Sequence, residues 1–155
     1  MFQFVQGPLT VLGRLLLATI FFMAAAGNKI PHFSQVANYM DQAGVPQPQL
    51  LLVGAIVFLI VGSLSVIVGY HARIGATLLL TFLVLASYYF HPFWRLDGQA
   101  AQEQMIHFMK NLSMMGAMLF IVANGSGPMS LDTLLHKRAT APADERGAFA
   151  HTSVA

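Results

Sequence analysis

The residues from Leu50 to Gly69, LLLVGAIVFLIVGSLSVIVG, carry no charged side chain. Wound as a helix, a run of about 20 apolar residues is as long as the hydrocarbon core of a bilayer is thick, about 30 Å. Three further segments read the same way. Ile74 to Phe90 is uncharged, and Leu9 to Gly27 is broken only by Arg14. Met105 to Ala123 is apolar from Leu112 onward, with His107, Lys110 and Asn111 in its first two turns. Charged residues make up 9% of the 155 and apolar residues 56%. A soluble domain carries roughly 25% charge, so here the apolar surplus has to face lipid. No period-2 alternation is present, which disfavours a transmembrane barrel. The sequence therefore predicts an all-α membrane protein, a four-transmembrane-helix bundle within residues 1–135, with spans at about 9–27, 50–69, 74–90 and 105–123.

The connections fit that count. Gly69-Tyr70-His71-Ala72-Arg73 is short, so the second and third spans form an antiparallel hairpin. Between the first two spans, Phe33, Val36, Ala37 and Met40 recur at helical spacing, closed by Gly44 and Pro46. That one-faced segment is too short to span and is expected as an interfacial helix, its apolar face toward the bundle or lipid. Gly54, Gly62, Ser63, Ser65 and Gly69 stud the second span, and small residues allow close helix approach, so this span is expected at the bundle centre. Asn124-Gly125-Ser126-Gly127-Pro128 stops the last span, after which Ser130 caps a short helix through Leu135. Residues 136–155 are rich in Ala and polar side chains and are expected to be disordered. Met1 to Gly7 lacks a charged leader region, so the first span reads as a retained helix.

With four spans, both termini and the middle turn lie on one face. That face carries Arg14, Arg73, Lys137, Arg138 and Arg146, against Lys29, Arg95 and Lys110 on the other. The bias places the N- and C-termini in the cytoplasm by the positive-inside rule. The net charge of +2 is scattered, with no basic stripe for nucleic acid. The absence of cysteine excludes disulfides, thiolate metal sites and a thiol relay within this chain.

Chemistry can reside in few places. Arg14, about five residues inside the first span, reads first as a cation reaching back to the headgroups, and second as a buried partner for an anionic ligand group. The other face is denser. Lys29 and His32 follow the first span, His91 ends the third, and Glu103, His107, Lys110 and Asn111 open the fourth. Polar groups at that depth are costly unless they face a cavity or one another. A metal site from His32, His91, His107 and Glu103 lacks any recognised ligand spacing, so no metal is assigned. A polar pocket holding a quinone or another small amphiphile, with Lys and His as donors, stands beside the plainer reading of headgroup-level decoration. Met105, Met109, Met114, Met115 and Met118 cluster in the fourth span as core filling.

GRLLLATIFFMAAAGNKI stands in the first span, AGVP after the loop helix, and GYHARIGA in the hairpin turn. FHPFW, HFMKNLSMMGAML in the fourth span and the closing GSGPMSLD follow. Their order and spacing carry a resemblance to the DoxX family of small bacterial membrane proteins. It implies a four-helix bundle of the inner membrane and a loose association with oxidoreductases, because the family's name derives from likeness to a subunit of an archaeal quinol-oxidising system. It supplies no catalytic motif, although Lys29, Arg73, Lys110 and Asn111 fall at the family's polar positions.

Two functional classes follow. One is an accessory subunit of a membrane redox system that binds a quinone or similar amphiphile. The other is a non-enzymatic assembly or chaperone-like protein that binds another membrane protein. A transporter is disfavoured, since four spans form a path only as a homo-oligomer and no charged ring is evident. Beyond the lipid bilayer, the expected partner is another membrane protein, a redox complex or a second copy of the chain.

Overall fold

The computed structural model describes residues 3–140, and among them every regular element is a helix. Four are long and apolar enough to cross a membrane. Helix α1 (Gln3–Met23) continues without a break into a π-helical segment, Ala24–Lys29. After α2 (Phe33–Gln42) come α3 (Pro48–Val68), α4 (Ala72–Phe90), a 3₁₀ turn at Phe93–Arg95, α5 (Gly98–Asn124) and α6 (Leu131–Thr140).

The four long helices pack in a row: α1 on α3, α3 on α4, α4 on α5. Close backbone approach between α1 and α5 is almost absent, so a seam runs between them. The core lies along the row and is made of Ala18, Phe21, Leu59, Val66, Ala76, Leu79, Leu83 and Met118. Much larger apolar side chains point outward. Leu16 is 70% exposed and Phe120 69%. Such a surface is untenable in water and ordinary against lipid.

Helix α3 is central, as its small residues predict. At its crossing with α4, Gly62 faces Gly75: a Cβ on either would come within 2.9 Å of the other's carbonyl oxygen. Gly54, by contrast, has open space beside it and takes no part in the crossing. Helix α2 packs its buried Ala37 and Met40 against Leu52, so its apolar face turns toward the bundle. Tyr39 stacks on Phe90 with ring centroids 5.3 Å apart.

Three boundaries depart from the sequence reading, the first being α1, which starts at Gln3, six residues before Leu9. Helix α5 begins seven residues before Met105. Its first turns, Gly98 to Gln104, are polar and satisfy themselves locally, with Gln99 Nε2 donating to Glu103 Oε1 at 3.0 Å. A hydrophobic scan stops where the helix leaves hydrocarbon, whereas the backbone continues to bond to itself. Helix α6 runs to Thr140, past the expected end at Leu135, while the rest of the segment expected to be disordered, 141–155, lies outside the described residues.

The end of the bundle with the α3–α4 turn is bound by a polar knot. Gly69 closes α3 in the left-handed region (φ 70°), and the Ser65 hydroxyl donates to the carbonyl of Tyr70 at 2.6 Å. The Asp132 carboxylate accepts the His71 N–H at 2.9 Å, while the Asp132 N–H donates to the Gly69 carbonyl at 3.0 Å. The start of α6 is thereby fastened to the turn. Ser130, 1% exposed, caps α6 by accepting the Thr133 N–H at 3.2 Å, and it donates to Gly127 O at 2.9 Å. Loss of a Ser cap costs about 1 kcal/mol, and the Ser126 hydroxyl loses the nearer of its two acceptors, keeping Asp132 Oδ2 at 3.3 Å. Ser130→Ala is expected to destabilise the protein by about 1–2 kcal/mol, read as a lower unfolding midpoint in detergent. An unchanged midpoint would show that the cap is idle.

Candidate functional site

At the opposite end, beside α2, the helices enclose a cavity of about 430 Å³. Its walls are apolar, including Phe21, Phe82, Leu83 and Phe90, and its polar groups are Asn28, Lys29, Tyr39, His91, Lys110 and Asn111. A volume near 430 Å³ lies within the 300–1,000 Å³ usual for small-molecule sites, which are mostly apolar with a few placed polar groups.

The π-helical segment is what turns α1 into this site. Its widened turn is marked by the Ile30 N–H donating to the Ala25 carbonyl at 3.0 Å, a five-residue span. The run of Ala24, Ala25, Ala26 and Gly27 has little side-chain bulk to oppose the wider ring. The extra residue carries Asn28 and Lys29 onto the cavity wall. Lys29 Nζ stands 5.3 Å from the centroid of the Phe82 ring, a cation–π contact. No other partner for its ammonium occurs among the described residues.

Asn111 is 6% exposed, and its amide donates to the Ser87 hydroxyl at 3.0 Å, joining α5 to α4 in the middle of apolar surroundings. A buried amide of this kind is fixed in orientation by its partner. Above it, Lys110 Nζ lies 3.5 Å from His107 Nδ1. The His107 ring stacks on that of His91, with centroids 5.3 Å apart, and His91 Nδ1 donates to Gln104 Oε1 at 2.7 Å.

Of the residues singled out in the sequence, Lys29, His91, Lys110 and Asn111 line the cavity. His107 sits just behind His91. His32 and Glu103 do not join them. The exposed His32 donates from Nδ1 to the Asn28 carbonyl at 3.1 Å, closing its own turn, and Glu103 pairs with Gln99 on an exposed face of α5. Four-residue spacing puts Glu103 and His107 on one side of α5 without turning that side inward. Among the described residues no three His, Asp or Glu side chains converge as metal ligands. Sequence reasoning passed over Asn28, Ser87 and Gln104. Ser87, a hydroxyl one turn inside the end of an apolar span, was the legible signal.

Arg14 and Arg73 sit at the turn end. Arg73 is exposed, with Nη2 3.4 Å from the Ala123 carbonyl. It borders a polar cavity of about 550 Å³ with His71, Asp132 and Thr133. Arg14 is buried within the protein, not extended along its surface as the sequence first suggests. It is 5% exposed, and Nη2 donates to the Met129 carbonyl at 2.8 Å. The loop before α6 folds over it, which no local reading of α1 could reveal.

The DoxX family model matches residues 9–92. The chain is 28% identical over 125 residues to the inner membrane protein YphA of Escherichia coli strain K12, covering 81% of this chain and 89% of the relative. It is 32% identical over 128 residues to the inner membrane protein YqjF of the same organism, covering 83% and 93%. No solved structure matches. With more than half its length in the family model, relatives aligned along most of both chains and four helices fit to cross a bilayer, the chain belongs to the DoxX family of integral inner-membrane proteins.

Proposed function

We propose that the protein is an accessory subunit of a membrane redox system and that the cavity beside α2 holds the ring of a quinone or a similar amphiphile. The observation that carries this reading is one apolar chamber with nitrogen donors from Lys29, His91, Lys110 and Asn111 on its wall. The residues fit such a guest. The aromatic rings of Phe21, Phe82 and Phe90 suit a flat apolar ring, and the ammonium and amide donors suit two carbonyl oxygens. A bound quinone would supply carriage of electrons and protons. The chain's own residues bind and orient it and shield it from water. Asn111, held by Ser87, fixes one donor, and Lys29 supplies a positive charge at the ring edge.

The test is purification in mild detergent followed by extraction and mass spectrometry. Wild-type protein is expected to retain quinone. Lys29→Met and Asn111→Leu are expected to lower retention about tenfold or more, the loss that follows a missing hydrogen bond of about 1.5 kcal/mol. If wild-type protein retains no quinone and binds none on titration, the reading fails.

One feature favours the assembly reading as well. Trp94, half exposed, stands on an aromatic cluster with Phe93 and Phe108 outside the bundle, the kind of anchor that protein interfaces use. A stoichiometric membrane partner that dissociates in Trp94→Ala would support it.

A further inference from the structure

Among the described residues, Arg14 is the one buried charged side chain left short of partners. Nη2 has the Met129 carbonyl, but Nε and Nη1 are buried and meet no acceptor. The deficit is local to this residue. Around it the Thr10 hydroxyl donates to Gln6 O, Asn124 Nδ2 to Phe120 O and the Ser126 hydroxyl to Ser130. Asp132 attracts the guanidinium electrostatically, yet its oxygens are engaged by the His71 N–H and the Ser126 hydroxyl. A buried cation with idle donors is expensive, and the usual remedy is an anionic acceptor.

Room for one exists beside the residue, reached when the guanidinium turns away from Gly69 and Ser130, against which Nη1 packs. Arg14 lines a cavity of about 630 Å³ in the seam between α1 and α5. One end of it is polar, with Thr10, Asn124 and Ser126, and the other is apolar, with Leu17, Phe120 and Ile121. Arg14 lies nine residues past the start of the span at Val5, about 14 Å along the helix. Its side chain tilts back toward the helix N-terminus, which brings the guanidinium up toward the headgroup level of that leaflet. A cavity polar toward the headgroups and apolar toward the bilayer centre, open along a lipid-facing seam, has the form of an amphiphile whose head is an acid.

We infer that the seam cavity at the turn end binds a phosphate group on Arg14, carried by a phospholipid or free in solution. Phosphate oxygens accept from several donors at once and pair well with guanidinium. The acyl chains of a phospholipid would lie along Leu17, Phe120 and Ile121. This site shares no lining residue with the cavity beside α2, so the two stand or fall separately.

The experiment uses the full chain purified in mild detergent. Bound phospholipid is counted by mass spectrometry, and unfolding midpoints are compared with phosphatidylglycerol, an uncharged glucosyl diacylglycerol, or millimolar inorganic phosphate added. The expected result is about one retained phospholipid per chain and a rise in midpoint with phosphatidylglycerol only. A rise with inorganic phosphate instead would assign the same site to free phosphate. Arg14→Gln is expected to reduce retention tenfold or more. Because that variant disturbs the fold around Met129, Gly13→Leu serves as its companion: Gly13 borders the cavity with open space beside it, so leucine fills the cavity without touching the guanidinium's hydrogen bond. Gly13→Leu should lose the phospholipid and keep the midpoint measured without lipid. Wild-type protein that neither retains phospholipid nor responds to either phosphate source, or retention unchanged in both variants, overturns the assignment.

Discussion

Gly75→Leu should cost about 3 kcal/mol or more, the upper range for forcing bulk into a packed interface, and most of the protein should fail to fold. The reason lies in the crossing of α3 and α4. A Cβ at position 75 would meet the Gly62 carbonyl oxygen at 2.9 Å and the Ser65 side chain closer still. Carbonyl oxygens are backbone, so they cannot swing aside. The two helices would have to separate, and Leu79, now packed over Gly62, would lose its contacts. In a bilayer this loss is severe, because association between spans rests on packing and not on escape from water. Gly54→Leu on α3, the partner helix, is the control, since nothing lies within 4 Å of its Cβ position. Yield and unfolding midpoint in detergent measure both variants, and equal stability of the two would refute the role assigned to the crossing.

Gly69→Ala is the second large effect, expected at about 2–5 kcal/mol from two sources. Holding alanine in the left-handed region costs about 1–2 kcal/mol, and position 69 has φ 70°. The added methyl would also drive into the Arg14 guanidinium and the Ser130 side chain, an overpacking cost of about 1–3 kcal/mol. The sources can be separated. Arg14→Ala removes one of the obstacles, so the double variant Gly69→Ala/Arg14→Ala should be less unstable than the sum of the singles. Strict additivity would mean that only backbone strain acts, and that the guanidinium does not press on the turn.

The sequence made the four spans legible because hydrocarbon leaves a chain no alternative: a long uncharged run must satisfy its own backbone as helix. The short helix between the first two spans was legible too, from the spacing of Phe33, Val36, Ala37 and Met40. Its turn toward Leu52 was not, since that face is decided by packing on α3. For the candidate cavity the useful rule was depth. Lys110 and Asn111 stand in the opening turns of a span, where a polar group is costly unless it faces a cavity, and both reach the cavity wall. His32 and Glu103 were gathered by proximity in sequence to other polar residues, and local bonds to Asn28 and Gln99 hold them elsewhere. The π-helical turn at Ala24–Lys29 leaves no periodic mark in six residues, yet it decides where Lys29 stands. Arg14 shows the limit most clearly. Its hydrogen-bond partner lies 115 residues away along the chain, in a loop whose glycines announced a stop and nothing about what that loop would cover.

The unclosed side of the helix row has a kinetic meaning. Because the backbones of α1 and α5 stay apart, a guest of the kind proposed would arrive sideways by diffusing in the plane of the membrane, with no passage through water. How full each chamber is would then follow how strongly its guest partitions into the bilayer, where an oily molecule scarce in the aqueous phase is concentrated many-fold. Weak intrinsic affinity suffices under such conditions, and exchange stays quick.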